Sequence, residues 1–489
     1  MRKYIHKILL LCVSLIFNYQ LSIFNSAQAQ IVPDSYRQQR QREYQDFKDS
    51  IHDDFVRYLE HLWTEYQLFS GEPSPRSIKP VEQPQLDTFV VDDTLTTDTQ
   101  IPYGRLTDIQ KVGAVEYLPP ASIADLQKRN HTVRFYGRDL TIALPERVSN
   151  EKLGGIRERQ VARFWKKLVE SHADQCVASL DQQRRNLYLG DWGLFDLVRR
   201  FTAVVYPDQA NEQAVLTVYL LDAMHYDARV GRMDDRLVML VNTGSRLYDI
   251  PYVEIDSVRY YAFGNLPKKG RLLTYDRQMA SADRPIDMNL AYSPRLGGEL
   301  SQKTYGYTLF GRKVSFRVNQ PLMDFYARYP QTELTVYANA AMEEAFAAAI
   351  EREMRPFVEG QSPVGALNTL LVFMQQGFKY QTDRKQFGRE KNFFCEENFF
   401  YPASDCEDRA VLFARMVKVL LGYDVVLLEY ADHVATAVHI PGRKVRGQHL
   451  DLQGGRYMVC DPTCIGAAVG DLHRKYRNKK ANVILIKNS

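Results

Sequence analysis

Cysteine is scarce in this chain, with 6 in 489 residues, and a small disulfide-stapled fold is excluded because such folds need far denser cysteine. No charge of one sign dominates either, since 63 Lys and Arg stand against 59 Asp and Glu. The basic residues are scattered along the chain. The composition therefore argues against a nucleic-acid partner.

Long apolar runs are missing after the first residues. Arg2, Lys3 and Lys7 precede the run ILLLCVSLIF, and the small residues AQA follow at 27–29. This order is typical of a secretory signal peptide over residues 1–29, whose apolar run is too short for a stable membrane anchor. We expect an exported mature chain, periplasmic or secreted, with no transmembrane span. Its formal charge would fall from +4 to +1, because the segment carries three Lys or Arg and no acid.

The mature chain is long enough for two or three domains. Residues 30–70 place apolar side chains at three- and four-residue spacing, which predicts an amphipathic helix. The members of this stripe are Tyr44, Phe47, Ile51, Phe55, Leu59 and Leu62. Residues 71–104 are rich in Pro, Thr and Asp without helical periodicity, and we interpret them as an extended linker or strap.

Residues 105–335 mix helical and strand patterns and predict an N-terminal α+β domain. Its helices are expected over 156–180 and 211–226, its short strands over 228–263, and a hairpin turn at the Phe-Gly pair 310–311.

Residues 336–489 form the second predicted domain, and further helices are expected over 340–358 and 364–380. A helix over 406–421 has acids in its first turn, few charges elsewhere, and Gly422 where a C-cap is expected, so it should be nearly buried. Strand patterns follow this helix along the chain. The expected fold class is α+β, with a buried helix next to an antiparallel sheet.

Three residues of this domain stand at the ends of predicted elements. Cys406 opens the helix, His433 opens a strand, and Asp461 follows another strand. Thiol catalysis needs these three groups: a sulfur nucleophile, an imidazole that takes its proton, and a carboxylate that orients the imidazole.

Residues 363–465 resemble the transglutaminase-like superfamily of papain-like thiol enzymes. The matching segments are LLVFMQQGFKYQTD, DCEDRAVLFARMVKVLLGYD, DHVATAVHI and YMVCDPTCIG, in the family's order and spacing. The resemblance implies Cys406 as nucleophile, His433 as base and Asp461 as orienting acid. Two positions depart from it: Val434 and Ala435 stand where many members have Trp, and Asp405 stands where a small residue often precedes the cysteine.

Each candidate has a structural alternative. Cys406 could be a buried apolar residue, and Asp461 could be a turn former before proline. His439 is a rival base on the same strand face as His433, but six residues of strand span roughly 20 Å, so only one of them can reach the thiol. The backbone N–H of Cys406 is the natural oxyanion donor, and Tyr401 or Asn398 could add a side chain.

The remaining cysteines give weak signals. Cys460 and Cys464 form a C-x3-C pair, which without a second pair is a poor zinc motif. We favour a disulfide from Cys395 to one of them, and we expect no metal and no cofactor. Cys176 has no predicted partner.

Acids around Cys406 pose a problem, because negative charge raises a thiol's pKa. The helix dipole and an imidazolium at His433 would oppose it. Glu407 and Asp408 suit the first turn, and we expect their side chains to point away from the sulfur and bind backbone N–H groups or an arginine. Asp405 remains unexplained.

Residues 213–241 repeat the pattern of 409–440: a helix, Tyr-Asp, a strand, an acidic turn and a strand. If the segments are related, the first has Asn211 and Glu212 where the thiol should be and Arg236 near the histidine's place. It would then be a degenerate copy without catalysis. The alternative is that a helix followed by a hairpin is a common arrangement.

Two functions compete. The first is an exported thiol enzyme that acts on amide or peptide bonds through an acyl-enzyme at Cys406, with hydrolysis favoured over amine transfer. Its partner would be a peptide or protein substrate, including one of the cell envelope. The second is a non-catalytic binding or assembly protein that keeps only the fold.

Overall fold

Runs of helices and runs of mostly antiparallel strands follow one another along the chain and build a mixed α/β structure. The computed structural model describes residues 50, 52–74, 79–86, 98–110, 112, 122–264, 266, 270–277, 282–442, 445–452 and 454–487. Contacts group Asp54–Ser489 into one unit. The predicted signal peptide lies outside the described residues.

The predicted helix over 30–70 is shorter than expected at its C-terminal end. A helix covers residues 52–59, where Phe55 and Leu59 are buried. Leu62, the last member of the predicted stripe, is 92% exposed, and Thr64–Leu68 is a strand. The reason is the sequence TEYQL, whose alternating β-branched and aromatic residues favour an extended chain once the apolar stripe has ended.

The helices are 52–59, Glu158–Glu170, Val177–Asn186, Asp191–Val205, Ala210–Ala223, Gln320–Arg328, Leu334–Asn339, Glu344–Val358, Pro363–Gly377, Asp383–Phe387, Glu397–Phe400 and Cys406–Leu421. The predicted helix over 156–180 is two helices, because His172 between them adopts a left-handed conformation (φ 54°) that interrupts the helical hydrogen bonds.

The strands are β1 (Thr64–Leu68), β2 (Thr99–Gln100), β3 (Tyr103–Thr107), β4 (Lys128–Phe135), β5 (Arg138–Pro145), β6 (Ala228–Met233), β7 (Arg236–Asn242), β8 (Tyr252–Ile255), β9 (Val258–Phe263), β10 (Gly270–Thr274), β11 (Tyr305–Leu309), β12 (Arg312–Phe316), β13 (Val425–Glu429), β14 (Val434–His439), β15 (Gln448–Leu452), β16 (Gly455–Cys460) and β17 (Ala481–Leu485). The predicted hairpin over Phe310 and Gly311 is confirmed as the β11–β12 turn, where both residues have positive φ as a two-residue turn of this kind requires.

Two large sheets contain most of the strands. The first, here the N-terminal sheet, has the order β1-β10-β6-β7-β9-β8. The second, the C-terminal sheet, has the order β2-β15-β16-β14-β13-β17-β3. Each sheet covers its own cluster of buried apolar side chains, centred on residues such as Leu240 and Val253 in the first and Leu428 and Val459 in the second.

The two sheets share a five-strand arrangement. In the N-terminal sheet, β8-β9-β7-β6-β10 follow one another with every neighbour antiparallel. In the C-terminal sheet, β15-β16-β14-β13-β17 do the same in the corresponding chain order. A buried helix directly precedes each set, Ala210–Ala223 in one and Cys406–Leu421 in the other.

The Cys406 helix (Cys406–Leu421) is buried through most of its length, as its composition predicts. Two of its arginines are buried, and each donates a hydrogen bond to a backbone carbonyl. Arg409 donates to Phe378 O at 2.8 Å, and Arg415 donates to Ala340 O at 2.5 Å. The helix ends at Gly422, whose φ of 69° confirms the predicted C-cap.

Candidate functional site

Cys406 is the first residue of its helix. Asp405 before it is extended, and its backbone N–H donates to the side chain of Asp408 at 3.3 Å, which anchors the helix start. The thiol is buried, and Sγ donates to Oε2 of Glu407 at 3.2 Å. The expectation that Glu407 points away from the sulfur is therefore wrong: its side chain is a direct partner of the thiol.

His433 and Asp461 meet because their strands are neighbours. Tyr430 N donates to His433 O at 2.8 Å across the turn that leads into β14, and Asp461 directly follows β16, which pairs with β14. Nε2 of His433 lies 2.8 Å from Oδ2 of Asp461, and both side chains are fully buried. The predicted pairing of imidazole and carboxylate is thus present in the structure.

Asp461 is also a turn former, so the two interpretations of this residue do not exclude each other. Its Oδ1 accepts the N–H groups of Thr463 and Cys464, each at 3.0 Å. Burial alone would raise the pKa of Asp461, but the charge and hydrogen bond of His433 and these two N–H groups hold it below its usual value. A carboxylate is therefore maintained beside the imidazole.

The second nitrogen of His433, Nδ1, is buried and has no hydrogen-bond partner. The ring stacks on Tyr476 with centroids 4.9 Å apart and planes 21° from parallel. Burial raises the pKa of Tyr476, and negative charge on Asp432, Cys406 and Asp461 raises it further. The thiol is hydrogen-bonded to Glu407 and not to Nδ1 of His433.

A lysine that no sequence pattern selects lies among the acids around the thiol. Nζ of Lys79 contacts Asp383 at 3.0 Å, Glu390 and Asp405 at 2.8 Å each, and Glu407. Lys79 belongs to the segment predicted to be an extended strap, and its side chain is only 2% exposed. This contact explains Asp405, the acid that looked out of place next to a nucleophile.

The acids of this cluster disfavour full ionisation. Burial raises the pKa of Asp383 to about 6, with Lys79 opposing and Glu407 adding to the shift. Burial and neighbouring carboxylates also raise the pKa of Asp405 and of Asp408 well above the usual value. Asp408 accepts the N–H of Phe393 at 2.9 Å, as expected for an acid of the first turn.

The acid cluster could hold a cation. Three overlapping sets of side chains each bring their ligand atoms within 4.8 Å of one another. They are Asp405 with Cys406 and Glu407, Asp383 with Glu390 and Glu407, and Asp383 with Asp405 and Asp408. The cation that four of these carboxylates contact is the ammonium of Lys79.

The other candidates lie elsewhere. His439 is at the far end of β14, with its ring against Tyr457 at 5.5 Å. The amide of Asn398 donates to Cys395 O and Asp408 O, at 3.4 and 3.3 Å. The ring of Tyr401 packs against Phe387 and Phe393. These contacts give neither Asn398 nor Tyr401 a role as an oxyanion donor.

The favoured disulfide is wrong, since Cys395, Cys460 and Cys464 are buried and form no disulfide in the described structure. Burial raises the pKa of the Cys395 and Cys460 thiols. The three cysteines therefore pack in the protein interior as small apolar residues do.

The N-terminal sheet has different residues at the three corresponding positions. Its helix begins at Ala210, so the thiol position is one residue before the expected Asn211 and Glu212. Met239 of β7 pairs with Phe263 of β9, and the corresponding pair in the C-terminal sheet is Thr436 with Cys460. Arg236 lies three residues before Met239, just as His433 lies three residues before Thr436. Gly264 follows Phe263, just as Asp461 follows Cys460. This sheet therefore carries none of the three reactive groups.

No protein-family model matches this chain, and neither does a curated protein or a solved structure. In the part of the chain that the structure describes, no helix is both long and apolar enough to cross a membrane.

Proposed function

We propose that the chain is an exported thiol enzyme that hydrolyses an amide or peptide bond through an acyl-enzyme at Cys406. The observation that carries the proposal is the fully buried His433–Asp461 pair, which leaves Nδ1 of the imidazole without a partner, directly before a strand that packs against the helix beginning with Cys406. An imidazole held at one nitrogen by a carboxylate is oriented to exchange a proton at the other.

The chemistry follows from these groups. Nδ1 of His433 takes the proton of Sγ, and the thiolate attacks the carbonyl carbon of the substrate. The backbone N–H groups at the start of the Cys406 helix can stabilise the oxyanion. The imidazolium gives its proton to the leaving amine as the C–N bond breaks, and water, deprotonated by the same imidazole, then hydrolyses the thioester.

The first step requires a change of thiol partner. Sγ is hydrogen-bonded to Glu407 in this structure and must turn to Nδ1 of His433 before proton transfer. A rotation about the Cα–Cβ bond of Cys406 would release Sγ from Glu407, since side chains occupy discrete rotamers. The described state is therefore a resting state of the proposed enzyme.

The fold supports the same assignment. The Cys406 helix packs against the sheet in which β14 and β16 bring His433 and Asp461 together, the arrangement that the resemblance to transglutaminase-like enzymes implies. The shared five-strand order of the two sheets supports a duplicated domain, with the N-terminal copy degenerate at Ala210, Arg236 and Gly264.

A binding or assembly protein is the second candidate. The observation in its favour is the burial of Cys406 and its hydrogen bond to Glu407, which together keep the thiol away from both base and solvent. In that case the acids and the His433–Asp461 pair would only stabilise the fold.

Trapping a thioester distinguishes the two candidates. The mature chain is incubated with a biotinylated panel of peptide amides and cell-wall fragments, and acylation of Cys406 is followed by mass spectrometry with and without hydroxylamine. The enzyme forms a hydroxylamine-sensitive adduct on Cys406. Cys176→Ser, at another buried thiol, is the matched control and should still form the adduct. No adduct with any amide in the panel would favour the binding protein.

A further inference from the structure

Part of the predicted strap lies against the elements that hold the candidate site. Pro80 O accepts the hydroxyl of Tyr380 at 2.8 Å, and Gln83 donates to Gln375 O and Thr463 O, each at 2.9 Å. Ile465 N donates to Pro84 O at 2.7 Å. Residues 79–86, here the strap, therefore bridge the helix Pro363–Gly377 and the turn after Asp461.

Strand-like backbone contact holds the C-terminal end of the strap. Leu86 N donates to Ile465 O at 3.1 Å, and Gln85 forms a parallel β-bridge with Ile465. An extended segment that pairs its backbone with one side of a site is a common way for a protein to bind a peptide. The strap thus has the form of a bound peptide, although it is part of the same chain.

Lys79 enters a pocket at the other end of the strap. Its walls, here the Lys79 pocket, are Asp383, Glu390, Asp405 and Glu407. Three of these side chains are at most 2% exposed, whereas Glu390 is 23% exposed and marks the rim. The pocket is buried at the thiol and open toward solvent at Glu390.

The pocket has more acidic side chains than a structural ion pair needs. Lys391, another buried lysine, is paired with one carboxylate, Glu397, at 2.5 Å. Four carboxylates converge on Lys79, and Oδ1 of Asp405 is fully buried without a hydrogen-bond partner. Such a set of acids is costly to bury unless a cation is present, because buried charge must be compensated.

We infer that the Lys79 pocket recognises an ammonium group of the substrate and that the strap fills the pocket as an internal substitute for it. The inference rests on the proposed thiol enzyme and adds its substrate class: an amide or peptide with a primary ammonium group close to the bond that is cleaved.

Glu407 connects the pocket to the reactive sulfur. One of its oxygens contacts Nζ of Lys79 and the other accepts the thiol hydrogen bond of Cys406. An ammonium in this pocket is held among carboxylates and stays protonated, so it has no electron pair with which to attack a thioester. The pocket therefore supplies recognition and not an amine nucleophile, which agrees with hydrolysis.

The first experiment tests ammonium binding with full-length Lys79→Ala, which empties the pocket. The melting temperature is measured against n-butylammonium chloride at constant ionic strength, with n-butanol as the neutral analogue. We expect a saturable rise with n-butylammonium and none with n-butanol. Lys391→Ala, at the buried lysine with a single acid partner, is the matched control and should not respond. A folded Lys79→Ala protein without a saturable response to n-butylammonium would overturn the inference.

The second measurement tests whether the strap, by filling the pocket, also covers the thiol. Alkylation of Cys406 by iodoacetamide, followed by mass spectrometry, should be at least about tenfold faster in Lys79→Ala than in the wild type, because the strap loses its anchor. In the wild type, n-butylammonium at high millimolar concentration should also speed alkylation, since it competes with a tethered lysine of millimolar effective concentration. The wild-type measurement does not depend on a variant that folds. Unchanged alkylation of the wild type with n-butylammonium would contradict the idea that the strap covers the thiol.

The third arm tests the substrate class. Nα-acetyl-lysine p-nitroanilide should acylate Cys406 at least about tenfold faster than Nα-acetyl-norleucine p-nitroanilide, which has no ammonium group. Equal rates would overturn the inference and leave the thiol enzyme in place. No adduct from either amide, combined with saturable n-butylammonium binding, would instead separate a functioning pocket from a failed proposal of catalysis.

Discussion

The two sheets of this protein have the same five-strand order but not the same chemistry. Each set of strands follows a buried helix, and each helix begins at the corresponding residue, Ala210 in one and Cys406 in the other. The N-terminal sheet has Arg236 and Gly264 where the C-terminal sheet has His433 and Asp461. The arrangement of strands depends on apolar residues inside the elements, whereas the candidate chemistry depends on single residues at their ends.

A second difference concerns buried charge. In the N-terminal sheet, Asp227 accepts the side chains of Asn242 and Tyr260, each at 2.9 Å, and these polar contacts lie among packed aromatic residues. Beside the C-terminal sheet, Lys79 crosses from a distant segment to reach Asp405 and Glu407. The first arrangement is built by neighbouring strands, and the second depends on a segment that is distant along the chain.

Removal of the thiol should give the largest effect. Cys406→Ala is expected to abolish amide cleavage and adduct formation, because covalent catalysis has no nucleophile, while the melting temperature changes by no more than about 5 °C. Hydrolysis rates and calorimetry check both expectations. Cys176→Ala, a similar truncation of a buried thiol near the N-terminal sheet, should keep full activity. Activity in purified Cys406→Ala would refute the enzyme.

Asp461→Asn should lower the rate by roughly 10³- to 10⁴-fold while the protein still folds. The amide keeps an oxygen for the N–H groups of Thr463 and Cys464 but cannot stabilise an imidazolium or maintain its tautomer. Steady-state kinetics measure the loss. Asp227→Asn in the N-terminal sheet is the comparison and should leave the rate unchanged. If both variants keep their activity, Asp461 only forms the turn.

The acids around Cys406 should affect its alkylation moderately and in a direction opposite to that of the histidine. His433→Ala is expected to move the midpoint of the alkylation rate against pH upward, because the imidazolium partner is lost. Asp405→Asn and Glu407→Gln should move it downward, since each removes negative charge near the sulfur. Mass spectrometry of Cys406 gives the midpoints. A midpoint equal to that of a free thiol in the wild type, unchanged in His433→Ala, would exclude a thiol–imidazole pair.

The Lys79 pocket should also make stability depend on pH. The folded protein holds the pKa of Asp383 at about 6, above its usual value near 3.8, so the folded state binds the proton more tightly than the unfolded state does. This contribution is present at low pH and is lost as the pH rises from about 4 to about 6. Asp383→Asn should therefore reduce the fall in melting temperature over that range. A fall as large as that of the wild type would show that Asp383 is not the titrating group.

The smallest effect concerns the two helix ends. Gly422 and His225 follow the corresponding helices with φ of 69° and 68°. A side chain with Cβ costs about 1 kcal/mol in this left-handed conformation, so Gly422→Ala should lower the free energy of unfolding by about that amount. His225→Gly should gain less than about 1 kcal/mol, because the imidazole loses its own contacts. Urea denaturation measures the free energy of unfolding of both variants. Changes of equal size at the two sites would contradict the comparison.

Much of the site could be predicted from local pattern. The Cys406 helix, its end at Gly422, and the strands that follow it can be read from periodicity and capping, and neighbouring antiparallel strands bring His433 to Asp461. The disulfide prediction failed because spacing along the chain says little about which thiols meet after folding. The expected orientation of Glu407 failed because one of its two partners, Lys79, comes from a distant part of the chain.

The amino-acid sequence by itself determined the elements and the residues at their ends, because helix and strand periodicity depends on positions only a few residues apart. Tertiary structure alone decided that Lys79 reaches Asp405, 326 positions away, and that the thiol binds Glu407 in the described state. Those contacts depend on which charge can enter a buried group of acids once the chain has folded. Buried carboxylates need a cation to compensate their charge, and the sequence alone does not identify the residue that supplies it.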